Sequence, residues 1–151
     1  TEGIIRMHQF DKAEMETFCM PETGLDEHKL HIALQEYMVQ QLDLPYRLIA
    51  KCTADIGKPN ARGIDIDTWM PGQGKYKETH TADYMTDYQT RRLKTRVRKP
   101  DGSTELAHTA DATAFAFGRT LVAIIENNQT KDGHIGIPEV LRPFMGGREF
   151  I

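Results

Sequence analysis

Two runs at the start of the chain, Gly3 to Phe10 and Ala13 to Met20, are rich in Ile, Phe, Met and Thr without helical spacing, and they predict extended segments. The rhythm changes in "PETGLDEHKLHIALQEYMVQQLDLP". There Leu30, Leu34, Tyr37, Met38 and Leu42 recur at helical spacing, which predicts one amphipathic helix with these residues on one face, closed by Pro45. "YRLIAKCTAD" is strand-like and "IGKPNARG" a loop. "IDIDTWM" alternates apolar and acidic side chains, as a strand with one buried face does. After the "PGQG" turn, "KYKETHTA" predicts another strand, "TDYQTRRL" a short helix, "KTRVR" an extended piece and "KPDGST" a hairpin turn. A last helix is expected from Ala112 to about Asn127, with Ala114, Phe117, Leu121, Ile124 and Ile125 inward, and "IPEVLRPFMGG" is partly helical. Strands in succession with inserted helices and no βαβ alternation predict an α+β fold, an antiparallel sheet with flanking helices.

Composition narrows the function without naming it. The chain has 151 residues, enough for one domain with a core, and its 27% charged and 39% hydrophobic residues are those of an ordinary globular protein. A formal charge of −3 nominates no nucleic-acid partner by itself. No apolar run approaches the roughly 20 residues that span a bilayer, and no leader pattern opens the chain, so a cytoplasmic protein without a membrane partner is expected. Cys19 and Cys52 have no framework spacing and read as two unremarkable thiols in a reducing compartment. Thr1 is no initiator, and the expectation is a piece of something longer.

Several chemistries fall away. Ser103 is the sole serine and sits in a D-G-S-T turn, so a Ser-His-Asp hydrolase lacks a nucleophile. "PGQGKY" fails the phosphate-loop pattern, because Lys75 is followed by Tyr76 and the first glycine is missing. His28 and His31 lie one helical turn apart, but with no third ligand nearby they read as a solvated face. What remains is Arg6, Glu14, Glu78 and Arg119, charges set among apolar strand and helix residues. Arg119 is the sharpest case, since a guanidinium in an apolar helix demands an anionic partner. Two arginines and two carboxylates can hold a polyphosphate, its divalent cation and a cationic group; solvated strand charges are the alternative.

Three blocks carry a resemblance: "GIIRMHQFDKAEMETF", "GKYKETHTADYMTDYQTRRL" and "ATAFAFGRTLVAIIENNQTKDGHIGIPEVLRPFMGG". In this order they closely resemble the catalytic domain of the seryl-tRNA synthetases of bacterial type, class II aminoacyl-tRNA synthetases. The resemblance covers essentially the whole chain, from the second half of motif 2 through motif 3. It implies a single partial catalytic domain over residues 1–151, without the N-terminal tRNA-binding helical hairpin or motif 1. It also implies the chemistry of a serine-tRNA ligase: L-serine and ATP give seryl-adenylate and pyrophosphate, and the seryl group passes to tRNA(Ser). A homodimer is expected of the full-length parent.

Residue by residue, the resemblance makes Arg6 and Arg119 the catalytic arginines that meet the ATP phosphates. Phe10 would stack on adenine and the Met7 backbone would read its edge. Glu78 would ligate Mg²⁺ with the Thr81 hydroxyl, and Thr79 and His80 complete that ATP-binding stretch. Glu14 would pair with the ammonium of serine and Thr113 receive its hydroxyl, with Asp111 beside them in the serine-binding set. Departures from the family pattern are Asp111, where asparagine is common, and Ala82 and Asp83, in a stretch that often carries serine and cysteine. An amide both donates and accepts, whereas an ionised aspartate only accepts, so either a proton, a cation or a Lys/Arg neighbour compensates, or the pocket chemistry has drifted. The basic stretch "RRLKTRVRK" puts Lys94, Arg96 and Arg98 on one strand face, suited either to acceptor-stem phosphates or to a solvated, charge-protected edge. Two other functions stay open: a synthetase-like module that binds nucleotide or protein without turnover, and a ligase that loads an amino acid onto a carrier protein.

Overall fold

The computed structural model describes residues 3–151. Seven strands and three helices follow in the order β1 (Lys12–Cys19), α1 (Gly24–Gln41), β2 (Tyr46–Ala50), β3 (Arg62–Met70), β4 (Lys75–Thr86), α2 (Tyr88–Leu93), β5 (Arg96–Arg98), β6 (Thr104–Leu106), β7 (His108–Ala116) and α3 (Phe117–Asn127). Single 3₁₀ turns cover Gly3–Ile5, Pro71–Gln73 and Glu139–Met145. Five strands form one antiparallel sheet in the order β1-β7-β4-β3-β2, and β5 and β6 make a separate hairpin. The α+β expectation holds.

Three local expectations do not hold. Gly3 to Phe10 is not a strand: Gly3–Ile5 is a 3₁₀ turn and the chain bends on to Lys12. The last helix begins at Phe117, because His108–Ala116 is a central strand paired on both sides, by β1 and β4. Its small alternating residues Ala110, Ala112 and Thr113 are buried between neighbours, a demand that helical propensity cannot outweigh. Of the predicted inward residues, Phe117 and Leu121 are about half exposed, while Thr120 and Ala123 are buried. Lys94 also leaves the proposed basic strand face, since it caps α2 with φ +58°, and Arg96 and Arg98 alone share it.

The helix α1 is where it was expected but faces the other way. Its buried residues are Gly24, His28, His31, Gln35 and Val39, followed by Leu42 at its end, whereas Leu30, Leu34 and Tyr37 are exposed. The solvated-face reading of the two histidines is therefore wrong. Their Nε2 atoms reach the sheet, His28 donating to Ala82 O at 2.9 Å and His31 meeting Thr17 Oγ1 at 2.8 Å. Gln35 Nε2 donates to both Thr81 O and Thr113 O, each at 2.8 Å. Buried backbone carbonyls call for donors, and on this helical face His28 and Gln35 supply them while His31 meets a hydroxyl. Apolar packing completes the layer at one end: Val39, Leu42, Leu44, Ile66, Met70 and Ala123 form a buried cluster joining α1, β3 and α3. Each large aliphatic member stabilises the fold by about 1.5–3 kcal/mol.

Strand β3 is also covered on both faces and not only on one. Asp65 on it is 7% exposed and its carboxylate lies 3.1 Å from Lys51 Nζ. The two thiols are free, Cys19 buried and Cys52 exposed.

His80 is 1% exposed and packs edge-on against Phe115 in the layer beneath the sheet. Burial pushes its imidazole down to about 4, although a backbone bond with Ala114 works the other way. A histidine lowered in the folded state contributes stability that is complete above its unfolded pKa of about 6.5 and is lost as pH falls through the interval towards 4. His28 and His31, lowered by burial too, act in the same direction. Urea melts at pH 7.5 and 4.5 are expected to show a smaller acid loss in His80→Gln than in wild type, by about 2 kcal/mol. Equal acid losses in the two proteins would refute the assignment.

Candidate active site

Two irregularities in the sheet build the site. In β4, Ile66 pairs with His80 but Asp67 pairs with Glu78, which makes Thr79 an extra residue. In β7, Ala13 pairs with Phe115 but Glu14 pairs with Thr113, which makes Ala114 an extra residue. Bulges of this kind reverse the alternation of side chains beyond them. In a regular strand, with no bulge at Thr79, Glu78 would share the face of His80 and point into the core. With it, Glu78 joins Thr81 on the open face. Thr79 itself is tied down, its Oγ1 2.7 Å from Thr68 Oγ1.

Above this face lies a cleft of about 190 Å³, lined by Arg6, Met7, Phe10, Lys12, Glu78, Thr79, Thr81, Thr113, Gly118 and Arg119 among others. A second recess continues from it past Arg6, Lys77, Glu78 and Arg119. Arg6, Glu78 and Arg119, separated by over a hundred positions in sequence, thus share one wall. Arg119 stands in the first turn of α3, where its Nη1 donates to Glu78 O at 2.9 Å and Glu78 Oε1 at 3.0 Å. That contact answers the sequence question in part: the guanidinium faces a carboxylate, and its remaining donors face the cleft. Gly118 beside it leaves room for the incoming chain, since a Cβ there would lie 2.9 Å from Ile4 O and 2.8 Å from Met7 Cε. The turn carrying Arg6 is thereby laid across the start of α3.

Of the residues expected at the site, Arg6, Met7, Phe10, Glu78, Thr79, Thr81, Thr113 and Arg119 line the cleft. Glu14 and Asp111 do not line it but stand next to it on the same sheet face. Glu14 opposes Thr113 across β1 and β7, and its carboxylate pairs with Lys12 Nζ at 2.6 Å. Two pairing steps further, on the same face, Glu16, Asp111 and Asp83 make a row of three acids on adjacent strands. Burial foremost, then the charges of Glu16, Asp83 and Glu14, push the Asp111 carboxyl up to about 7. The direction of this shift favours the proton among those alternatives. His80 is the correction: strand alternation puts it on the face opposite Thr81, in the core and away from the cleft.

Two lysines went unnoticed in the sequence. Lys12 borders the cleft beside Glu14, and its place after "HQFD" gave no signal apart from alternation with Glu14. Lys51 lies buried between Asp65 and Asp83, and its Nζ donates to Thr81 Oγ1 at 2.7 Å. Burial opposes its charge, but the two carboxylates outweigh it and raise its pKa. The donor set bears directly on a magnesium ion. Glu78, half exposed and aimed into the cleft, fits a cation that keeps most of its waters and phosphate ligands. The Thr81 hydroxyl fits it poorly, because the Lys51 ammonium already occupies that oxygen and would repel a second cation.

With the geometry in place, comparison with known proteins gives it a family. The description "tRNA synthetase class II core domain (G, H, P, S and T)" matches residues 1–128. The chain belongs to this class II core family. It is 44% identical to the serine–tRNA ligase of Dictyoglomus thermophilum over 95% of its length, and 42% identical to that of Bdellovibrio bacteriovorus over 98%. It spans about a third of those relatives, 34% of each. Among solved structures, seryl-tRNA synthetase from Pyrococcus horikoshii complexed with ATP superimposes with a TM-score of 0.95 at 42% identity, over all of this chain and 34% of that one. Cytoplasmic serine–tRNA ligase from Naegleria fowleri in complex with AMP gives 0.91 at 35% identity, over 99% of this chain and 35% of that one. No helix among the described residues is long and apolar enough to cross a membrane.

Proposed function

We propose that this chain is the nucleotide- and serine-handling part of a serine–tRNA ligase, forming seryl-adenylate from L-serine and ATP before transfer to tRNA(Ser). The observation that carries the reading is the single cleft shared by Arg6, Glu78 and Arg119 over a floor of Thr81 and Thr113. Relatives with these names, and neighbours solved with ATP and AMP, support it.

The residues divide the work by their chemistry. In the activation step a serine carboxylate oxygen bonds to the α-phosphorus while the bond to the bridging oxygen breaks and pyrophosphate leaves with the electron pair. Arg6 and Arg119 present planar forks to phosphate oxygens, and their fixed mounts keep them aimed as charge gathers on the leaving group. Phe10, more than half exposed at the cleft rim, offers a face for the adenine ring. Glu78 would hold Mg²⁺, which when bound neutralises phosphate charge. Glu14 receives the serine ammonium in place of Lys12. Thr113 meets the serine hydroxyl, and alanine is penalised because it would leave that partner unpaired.

The deciding experiment is serine-dependent exchange of labelled pyrophosphate into ATP by the full-length gene product. Exchange with serine, and at least about a hundredfold less with alanine, is the expected result. No exchange with serine would overturn the reading in favour of a non-catalytic relative. Exchange without subsequent charging of tRNA, but with loading of a carrier protein, would move the second step to another acceptor.

A further inference from the structure

We propose that Gln35, on the helix behind the sheet, is a positioning residue that holds open the parting of β4 and β7 and so sets the spacing of Thr81 and Thr113 on the site's floor. The proposal rests on the reading of those two threonines as part of a serine-activating site.

The pairing of β4 with β7 runs from Thr86 and Thr109 down to Ala82 and Ala112 and stops there. Thr81 and Thr113 would be the next pair. Both strands bulge just beyond this point, at Thr79 and at Ala114, so the two chains diverge and cannot close their ladder. Divergence makes the cleft: Thr79, Thr81, Thr113 and Ala116, from the two separated strands, all line it. It also strands carbonyls in a region where water has no access, since Gln35 is 0% exposed.

The Gln35 carboxamide resolves this. Its nitrogen lies 2.8 Å from Thr81 O and 2.8 Å from Thr113 O, one carbonyl from each strand. Carbonyls only accept, so this nitrogen must be the NH₂ end, whose two hydrogens match two acceptors. The amide is a spacer of fixed length between strands that no longer bond to each other. Neighbouring polar contacts hold the spacer's frame. His28 donates to Ala82 O one residue away, and from the open side Lys51 Nζ grips Thr81 Oγ1 at 2.7 Å. Thr81 is therefore fixed by its backbone from below and by its hydroxyl from above. The apolar stripe Leu30, Leu34 and Tyr37 on the same helix faces away from the sheet and plays no part in this.

Three variants of the full-length protein test the proposal. Gln35→Leu fills similar space and donates nothing. Gln35→Glu offers a carboxylate that cannot serve two carbonyls, and Gln35→Asn keeps the NH₂ on a shorter arm. In pyrophosphate exchange, Leu and Glu are expected to raise KM for serine about tenfold, with KM for ATP within about twofold, because Arg6, Phe10 and Arg119 sit on other segments. Asn is expected to recover part of the loss. Amide hydrogen exchange without substrate supplies a readout independent of catalysis: residues 79–82 and 112–115 should exchange about tenfold faster in Gln35→Leu, with β1 and β3 outside the gap unchanged. Unaltered exchange there, or acceleration spread evenly over the sheet, would overturn the positioning role, as would equal changes in both KM values. If the wild type shows no serine-dependent exchange, the ligase reading fails, and amide exchange alone decides the case for Gln35.

Discussion

Arg119→Ala is expected to lower serine-dependent pyrophosphate exchange by about 10²–10³-fold, the usual loss when a preorganised donor to a developing anion is removed. The guanidinium has two tasks that alanine abandons together. It anchors the Glu78 carboxylate at 3.0 Å, and it presents its remaining donors to the cleft shared with Arg6. Arg119→Lys separates them. A lysine keeps one charge but cannot hold Glu78 and a phosphate oxygen with one fork, so most of the loss should persist. The fall should appear in kcat and in kcat/KM alike if the contact strengthens as pyrophosphate departs, and KM for serine should move little. Stability should hardly change, since the pair is partly exposed and surface ion pairs are worth little. An Arg119→Ala enzyme with exchange within threefold of wild type would remove Arg119 from the chemistry.

The second large effect is in stability. Asp111 sits between Glu16 and Asp83 on flanking strands, and its carboxyl is pushed up to about 7 from an ordinary value of 3.8. The folded protein therefore holds a proton that the unfolded chain releases near pH 4. Stability must fall as pH rises from about 4 to about 7, and the cost is complete above that range. Asp111→Asn keeps shape and hydrogen-bonding capacity but cannot ionise. Its melts should coincide with wild type near pH 4 and lie above it at pH 7.5, by about 1–2 kcal/mol once solvent screening is allowed for. The trend opposes that of His80, so the two variants bend the pH profile in opposite senses. A constant offset between Asp111→Asn and wild type across pH would show that Asp111 does not titrate in this interval.

The motifs were legible because they are local: a G-R-T at a helix start, a glutamate in "YKETHT", an arginine before "MHQF". Several element boundaries were legible for the same reason, since turns such as "KPDGST" and "PGQG" are written in a few residues. Less legible were the positions that answer to neighbours distant in sequence. His80 looked like a site residue because it stands between Thr79 and Thr81, yet it alternates with Thr81 and points into the core, while the bulge brings Glu78 out. Ala112–Ala116 looked helical because its alanines favour helix over strand, yet the segment fills the sheet beside β1 and β4.

By itself, then, the sequence determined the class of fold, most of its turns and the identity of the charged groups available for phosphate and cation. Tertiary structure alone decided which of those groups meet. An extra residue at Thr79 reverses a two-residue alternation, so no count along β4 could have placed Glu78 in the cleft. Polar groups on the covered side of the sheet, above all the Thr81 and Thr113 carbonyls where β4 leaves β7, require buried donors, so α1 turned its histidines and Gln35 inward and left leucines outside. Both outcomes follow from hydrogen bonds that a strand must make to its neighbour, a partner that the linear chain does not name.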